Sequence, residues 1–288
     1  MKIESSTIQQ IKNKMTEGLS GLYDKNEAKN MASLLIEHVC KLDKTHQISE
    51  PDFTPGDDTR KEINHYFRLL MEGVPIQYVI GETEFYGRKF TVSPTVLIPR
   101  PETEELVEFT IRQVASRTQP KILDIGTGSG IIAITLAAEI NDAQVFASDV
   151  SDDILRIAKR NAYSHKVQVS FLHNDVWKHP DNLPGHLDCI VSNPPYVTEK
   201  EQQLMHKNVL NFEPHNALFV PDDDPVKFYR QIALAGNQKL FKGGIVICEI
   251  NEAFAKESMK CFADMNFGSI FVYKDLNKKN RILTATKQ

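Results

Sequence analysis

The spacing of apolar residues changes along this chain, and with it the kind of structure each part is able to form. Up to about residue 75 the apolar side chains recur at helical intervals. Ile8, Ile11 and Met15 share one face, and an amphipathic run follows between Ala28 and Ile36. A polar break over residues 49–58 carries Pro51, Pro55 and Gly56, and a further helix at 59–72 places Ile63, Phe67 and Leu70 on one side. Residues 1–75 therefore read as a small helical module without recognisable chemistry. Over residues 76–93, Tyr78, Val79 and Ile80, then Phe85 and Tyr86, then Phe90 and Val92 are punctuated by Gly81 and Gly87. That pattern predicts a short β-hairpin linking two domains.

Residues 94–288 form the third segment. Pro101 suits a first helical turn, and the acidic residues after it lie where the helix dipole favours them. From Lys121 onward, apolar strands at 122–125, 144–149, 167–172, 187–192 and 245–250 alternate with helices at 131–140, 151–163 and 225–240 and one ending at 265. This alternation predicts an α/β, Rossmann-like sheet, mostly parallel and covered on both faces. The last strands, 270–273 and 282–286, are too close for a crossover helix, so they are expected to close the sheet as an antiparallel hairpin.

Composition narrows the class. At 288 residues the chain exceeds one small domain, and its net charge of −4 argues against tight non-specific nucleic-acid binding. Cys40, Cys189, Cys248 and Cys261 show no Cys-x-x-Cys pair and read as reduced thiols, two of them inside apolar strands. None of the histidines falls in a metal-ligand spacing, so no metal is expected. The first residues lack the apolar core of a signal peptide, and no apolar run is long enough to span a bilayer. A cytoplasmic protein with no membrane partner is expected.

Two segments carry chemistry. Asp124-Ile125-Gly126-Thr127-Gly128-Ser129-Gly130 follows a strand and opens a helix, where glycines let a backbone approach a ligand closely. Asp149 ends the next strand, where a carboxylate accepts hydrogen bonds from ribose hydroxyls. This turn alone leaves a dinucleotide and S-adenosylmethionine both open. The second segment, Asn193-Pro194-Pro195-Tyr196, ends the strand at 187–192. Two prolines stiffen it, and the Asn193 side chain and the Pro194 backbone each offer a carbonyl. Two acceptors converging on one NH₂ group grip a planar amide or exocyclic amine, and Tyr196 adds a flat face. Such a grip aligns a poor nucleophile for methyl transfer without a strong base.

DIGTGSG, Asp149 and NPPY together are shared by amino-methyltransferases acting on adenine, on exocyclic amines and on glutamine amides. Ile98-Pro99-Arg100-Pro101-Glu102-Thr103-Glu104 ahead of the turn, Phe212-Glu213-Pro214 after NPPY, and the closing Asn280-Arg281-Ile282 are more specific. With the helical module, they make the chain resemble the HemK/PrmC family of peptide chain release factor glutamine N5-methyltransferases. The resemblance implies a class I methyltransferase sheet and S-adenosylmethionine as cofactor, contacted by Gly126, Thr127, Gly128, Ser129, Gly130, Asp149, Val176 and Asn193. It also implies that Asn193, Pro194, Pro195 and Tyr196 hold the glutamine of the Gly-Gly-Gln loop of class 1 release factors, with Asn193, Pro194 and Tyr196 catalytic. The helical module would then engage the release factor, and Arg100 and Glu102 would order a lid over the cofactor. The alternatives are an adenine N6-methyltransferase acting on DNA or RNA, a ribosomal-protein glutamine methyltransferase, and a cofactor-binding scaffold without catalysis. The acidic total and the lack of a sizeable insertion beyond Tyr196 disfavour the first, so no direct nucleic-acid binding is expected. The IPRPETE segment disfavours the second, and intact Asn193 and Tyr196 the third.

Overall fold

Thr7 starts the first helix, α1 (Ile8–Leu19), through a capping box. Its hydroxyl accepts from the Gln10 backbone N–H, and the Gln10 side chain accepts from the Thr7 N–H. The computed structural model describes residues 6–288, so residues 1–5, with the start of the expected helical module and of the N-terminal stretch, lie outside the described residues. Asp24 caps α2 (Lys25–Cys40) by accepting from the Asn26 and Glu27 amides. Next come α3 (Lys44–Ser49) and α4 (Asp57–Met71). The predicted apolar faces meet in one core: Ile8, Ile11 and Met15 of α1, Leu35 and Ile36 of α2, and Ile63 and Leu70 of α4 are fully buried. Each such side chain contributes roughly 1.5–3 kcal/mol on burial. Gln47 is buried too, and its amide nitrogen is satisfied by the carbonyls of Ser33 and Leu42 at 3.0 and 2.9 Å.

Residues 76–80 depart from the expected hairpin. They form a short helix, α5 (Ile76–Ile80), closed by Gly81 at φ 75°. Ile76 and Val79 both enter the helical core, and residues three apart share a helix face but not a strand face. The hairpin is confined to β1 (Glu82–Phe85) and β2 (Arg88–Thr91), joined by Tyr86 and Gly87 at φ 51° and 68°. Two compact units result: Met1–Gly81 with His206–Phe212, and Glu82–Met205 with Glu213–Gln288.

The second unit continues with α6 (Glu102–Val114), β3 (Lys121–Ile125), α7 (Ile131–Glu139), β4 (Gln144–Asp149), α8 (Asp152–His165), β5 (Ser170–His173) and β6 (Leu187–Ser192). Beyond β6 lie β7 (Val197–Thr198), the first-unit helix α9 (Lys207–Phe212), β8 (Phe219–Val220), α10 (Lys227–Lys239), β9 (Leu240–Glu249), α11 (Ala255–Ala263), β10 (Phe267–Lys274) and β11 (Asn280–Lys287). The main sheet has the order β10-β11-β9-β6-β3-β4-β5. Strands β9, β6, β3, β4 and β5 are parallel, while β10 and β11 run antiparallel as the expected hairpin. From Cys189 onward the β6 side chains alternate, Cys189 and Val191 entering one core and Ile190 the other. Leu187 joins the core of Ile190 across a register shift between Leu187 and Cys189. Strand order reverses between β3 and β6, so the turn after β3 and the loop after β6 are neighbours at the strand carboxyl ends, where ligands bind in open α/β sheets. No helix among the described residues is long and apolar enough to cross a membrane.

Candidate active site

At that reversal the Ser192 hydroxyl donates to the Ile125 carbonyl at 2.7 Å and ties the ends of β6 and β3 together. The Gly-rich turn leaves β3 with Gly126, Gly128 and Gly130 all at positive φ. A Cβ on Gly126 or Gly128 would meet nothing within 4 Å, whereas one on Gly130 would lie 2.8 Å from Ile134 Cδ1. The first two glycines thus face open space, and the third lets α7 pack against α8. Within the turn, the Thr127 hydroxyl donates to Asp124 at 2.6 Å. Asp149, at the end of β4, accepts from the Gly128 amide at 3.0 Å and the Val150 amide at 2.8 Å. Burial raises the Asp149 carboxyl above its ordinary range, and these backbone donors oppose the rise.

The turn borders a cavity of about 360 Å³ that lies wholly within the second unit. Its walls include Gly126–Ser129 and Asp149, Val176 with the adjoining Trp177, and Asn193, Pro194 and Pro195. Of the sequence-derived residues, Gly130 and Tyr196 do not line it. Gly130 serves helix packing, and the Tyr196 hydroxyl donates to Glu249 at 2.8 Å. That bond anchors the tip of the Tyr196 side chain. Burial, with Glu249 alongside, pushes the Tyr196 hydroxyl well above the usual tyrosine range, so it remains a donor.

Asn193 is held from the other side of the cavity. Its Nδ2 donates to Thr103 Oγ1 at 3.1 Å, and Thr103 Oγ1 donates to Glu249 Oε2 at 2.9 Å. Arg281 approaches the Tyr196 hydroxyl at 3.4 Å and pairs with Asp275 at 3.1 Å. Burial raises the Glu249 carboxyl, opposed by the bonds from Tyr196 and Thr103 and by the Arg281 charge. Arg100 also lines the cavity and pairs with the buried Glu213 at 2.8 Å, while Glu213 accepts from the Ile98 amide at 3.3 Å. The IPRPETE segment is therefore tied to Asn193, to the end of β9 and to Glu213.

Several residues here had no assigned role in the sequence. Asn161 of α8 bonds both backbone groups of Thr91 and the Ser129 carbonyl, holding the Gly-rich turn from below. Asn174 is 7 % exposed, lines the cavity, and neither of its amide atoms has a hydrogen-bond partner. Trp177 packs edge-on against Phe228 at 5.6 Å, beside the picked Val176. Only an isolated Asn inside a helical pattern or beside Asp175 marked the first two, and that signal is weak.

The family described as Methyltransferase small domain matches residues 105–215, and the PrmC N-terminal domain matches residues 15–81. A release factor glutamine methyltransferase of Bacteroides thetaiotaomicron is 40 % identical over 94 % of this chain and 97 % of its own length. One from Flavobacterium psychrophilum is 38 % identical over 96 % of this chain and 98 % of its own length. The chain belongs to the release factor glutamine methyltransferase family. It is accordingly an enzyme of the methyltransferase class, and the sequence resemblance holds. Among solved structures, a methyltransferase from Pyrococcus furiosus aligns with TM-score 0.51 at 15 % identity, covering 81 % of this chain and 99 % of that one. The 16S rRNA N2 G1207 methyltransferase of T. thermophilus gives 0.51 at 16 % identity, over 72 % of this chain and 50 % of that one. At such identities the likeness is one of fold, and it agrees with the predicted class I sheet.

Proposed function

We propose that this chain methylates the side-chain amide nitrogen of the glutamine in the Gly-Gly-Gln loop of class 1 peptide chain release factors, using S-adenosylmethionine. The observation that carries the reading is Asn193: its nitrogen is committed to Thr103, and its Oδ1 accepts no hydrogen bond from the described residues. An acceptor at the strand end, beside the Gly-rich turn, suits a ligand that donates N–H.

The residues present fit the cofactor. Gly126 and Gly128 leave space that a side chain would fill, and Asn174 brings an unpaired donor and acceptor to the same cavity. Gly126–Ser129 would hold the amino-acid portion, Asp149 the ribose hydroxyls, and Val176 with Trp177 an apolar wall for the base. Bound there, the cofactor supplies an electrophilic methyl group. The chain's own contribution is to the nucleophile. Asn193 Oδ1 and the Pro194 carbonyl accept the two hydrogens of the substrate NH₂ group and set the direction of its nitrogen lone pair. Pro194 and Pro195 keep the loop from relaxing, because both fix φ. Orientation of this kind lowers a barrier by several kcal/mol, on the order of what positioning achieves in enzymes.

Purified chain incubated with methyl-labelled cofactor and a class 1 release factor is expected to label the Gly-Gly-Gln glutamine. Asn193→Ala is expected to abolish transfer while retaining cofactor binding. Labelling of DNA without labelling of the release factor would overturn the reading.

A further inference from the structure

We infer that Thr103 is a positioning residue that sets which end of the Asn193 carboxamide faces the substrate, with Glu249 fixing the direction of the relay. The inference rests on the reading that Asn193 holds the substrate amide.

A threonine hydroxyl has one hydrogen to give. Here it goes to Glu249 Oε2 at 2.9 Å, so Thr103 Oγ1 meets Asn193 as an acceptor, at 3.1 Å. Only the NH₂ end of the carboxamide is compatible with that acceptor. The reversed carboxamide would set Oδ1 against an oxygen with no hydrogen left to share. Glu249 is itself oriented as an acceptor. Arg281 supplies hydrogen to the Tyr196 hydroxyl at 3.4 Å, and Tyr196 passes its own hydrogen to Glu249 Oε1 at 2.8 Å. Thr103 and Glu249 are each 1 % exposed, and such burial strengthens these bonds. The chain of donors from Arg281 and Tyr196 and from Asn193 and Thr103 therefore converges on one carboxylate. Asn193 Oδ1 is left directed away from Thr103, as the acceptor available to an N–H donor. A substrate carboxylate in place of the amide would meet oxygen against oxygen, so the same relay discriminates glutamine from glutamate.

The test compares Thr103→Val, which keeps the shape and removes the hydroxyl, with Thr103→Ser, which keeps the hydroxyl. The release factor is the substrate, and a release factor carrying glutamate at the same position is the competitor. Wild type and the serine variant are expected to share a kcat/KM within about twofold. The valine variant should lose roughly ten- to a hundredfold, as for removal of one partner of a buried hydrogen bond. Its preference for the glutamine over the glutamate form should narrow, while cofactor affinity by calorimetry stays within about twofold. If the valine variant does not fold, the serine and alanine variants differ by the hydroxyl alone, and their ratio carries the same expectation. Equal activity of hydroxyl and non-hydroxyl variants, or an unchanged glutamine preference, sinks the inference. Asn193→Ala, run alongside, separates the two readings: if it retains full transfer the Asn193 reading itself fails, and if it is inactive while Thr103→Val is not, only the relay fails.

Discussion

Arg100 and Glu213, 113 positions apart in sequence, form an ion pair at 2.8 Å in which the carboxylate side chain is 1 % exposed and the guanidinium 32 %. Glu213 also accepts from the Ile98 amide, so the pair fastens one wall of the cavity. Arg100→Met leaves a buried carboxylate with the Ile98 N–H as its remaining donor. The expected loss is roughly 1–3 kcal/mol in urea denaturation. Because the two groups share one interaction, the double variant with Glu213→Gln should lose less than the sum of the single variants. Strict additivity would show that the pair is not coupled.

Asn161 holds three backbone groups at once: the Thr91 amide at 2.8 Å, the Thr91 carbonyl at 3.0 Å and the Ser129 carbonyl at 2.8 Å. Asn161→Leu keeps the approximate size and removes all three. A destabilisation of at least roughly 1–3 kcal/mol is expected, with weaker cofactor binding because Ser129 belongs to the Gly-rich turn. A variant as stable as wild type would mean that water replaces the clamp.

The three turn glycines are predicted to fail differently. Alanine at Gly126 meets open space at φ 75°, so it carries chiefly the left-handed backbone cost, roughly 1–2 kcal/mol, and obstructs the ligand. Alanine at Gly130 also meets Ile134 at 2.8 Å and Ala158 at 3.1 Å, which adds about 1–3 kcal/mol of overpacking. Calorimetric melting should therefore rank Gly130→Ala below Gly126→Ala. Cofactor titration should show a loss for Gly126→Ala that its stability does not account for.

Asp124 gives stability a pH dependence. Burial raises its carboxyl to about 7 from an ordinary 3.8, opposed by the Thr127 hydroxyl and the Ala133 amide. A carboxyl raised in the folded state binds more protons than in the unfolded state between those values. Its contribution is therefore present below about pH 4 and is lost as pH rises through 7. The full span corresponds to about 4 kcal/mol as an order of magnitude. Asp124→Asn retains an acceptor for Thr127 and does not titrate. Its stability relative to wild type should climb from pH 4 to 7 and then level off in denaturation at fixed ionic strength. A constant difference across that window would show that Asp124 does not titrate there.

Much of the second unit was legible because its determinants are local. The strand at 187–192 has the predicted bounds, since a short apolar run stopped by Asn-Pro-Pro has few alternatives. The closing hairpin followed from the short connection between its strands. Residues 78–80 misled because apolar β-branched neighbours suit a strand, whereas the burial of Ile76 and Val79 on one side demands a helix. The strand expected at 167–172 is found at Ser170–His173, because strand bounds follow the ladder with β4 and not the apolar run. The segment 206–212 carried no sign that it belongs with the N-terminal helices.

By itself the sequence determined the βα alternation, the Gly-rich turn, Asp149 at a strand end and the stiff Asn193-Pro194-Pro195-Tyr196 loop. Each of these depends on backbone limits and periodicity within a few residues. Only the tertiary structure decided how Asn193 is turned, what Tyr196 touches and which residues close the circuit. Thr103, Glu249 and Arg281 lie 90, 56 and 88 positions from Asn193, and hydrogen-bond direction passes from one to the next only once the sheet has brought β6, β9 and β11 side by side. A hydrogen has one donor at a time, so the polarity of such a network is a property of the whole set and of no single segment.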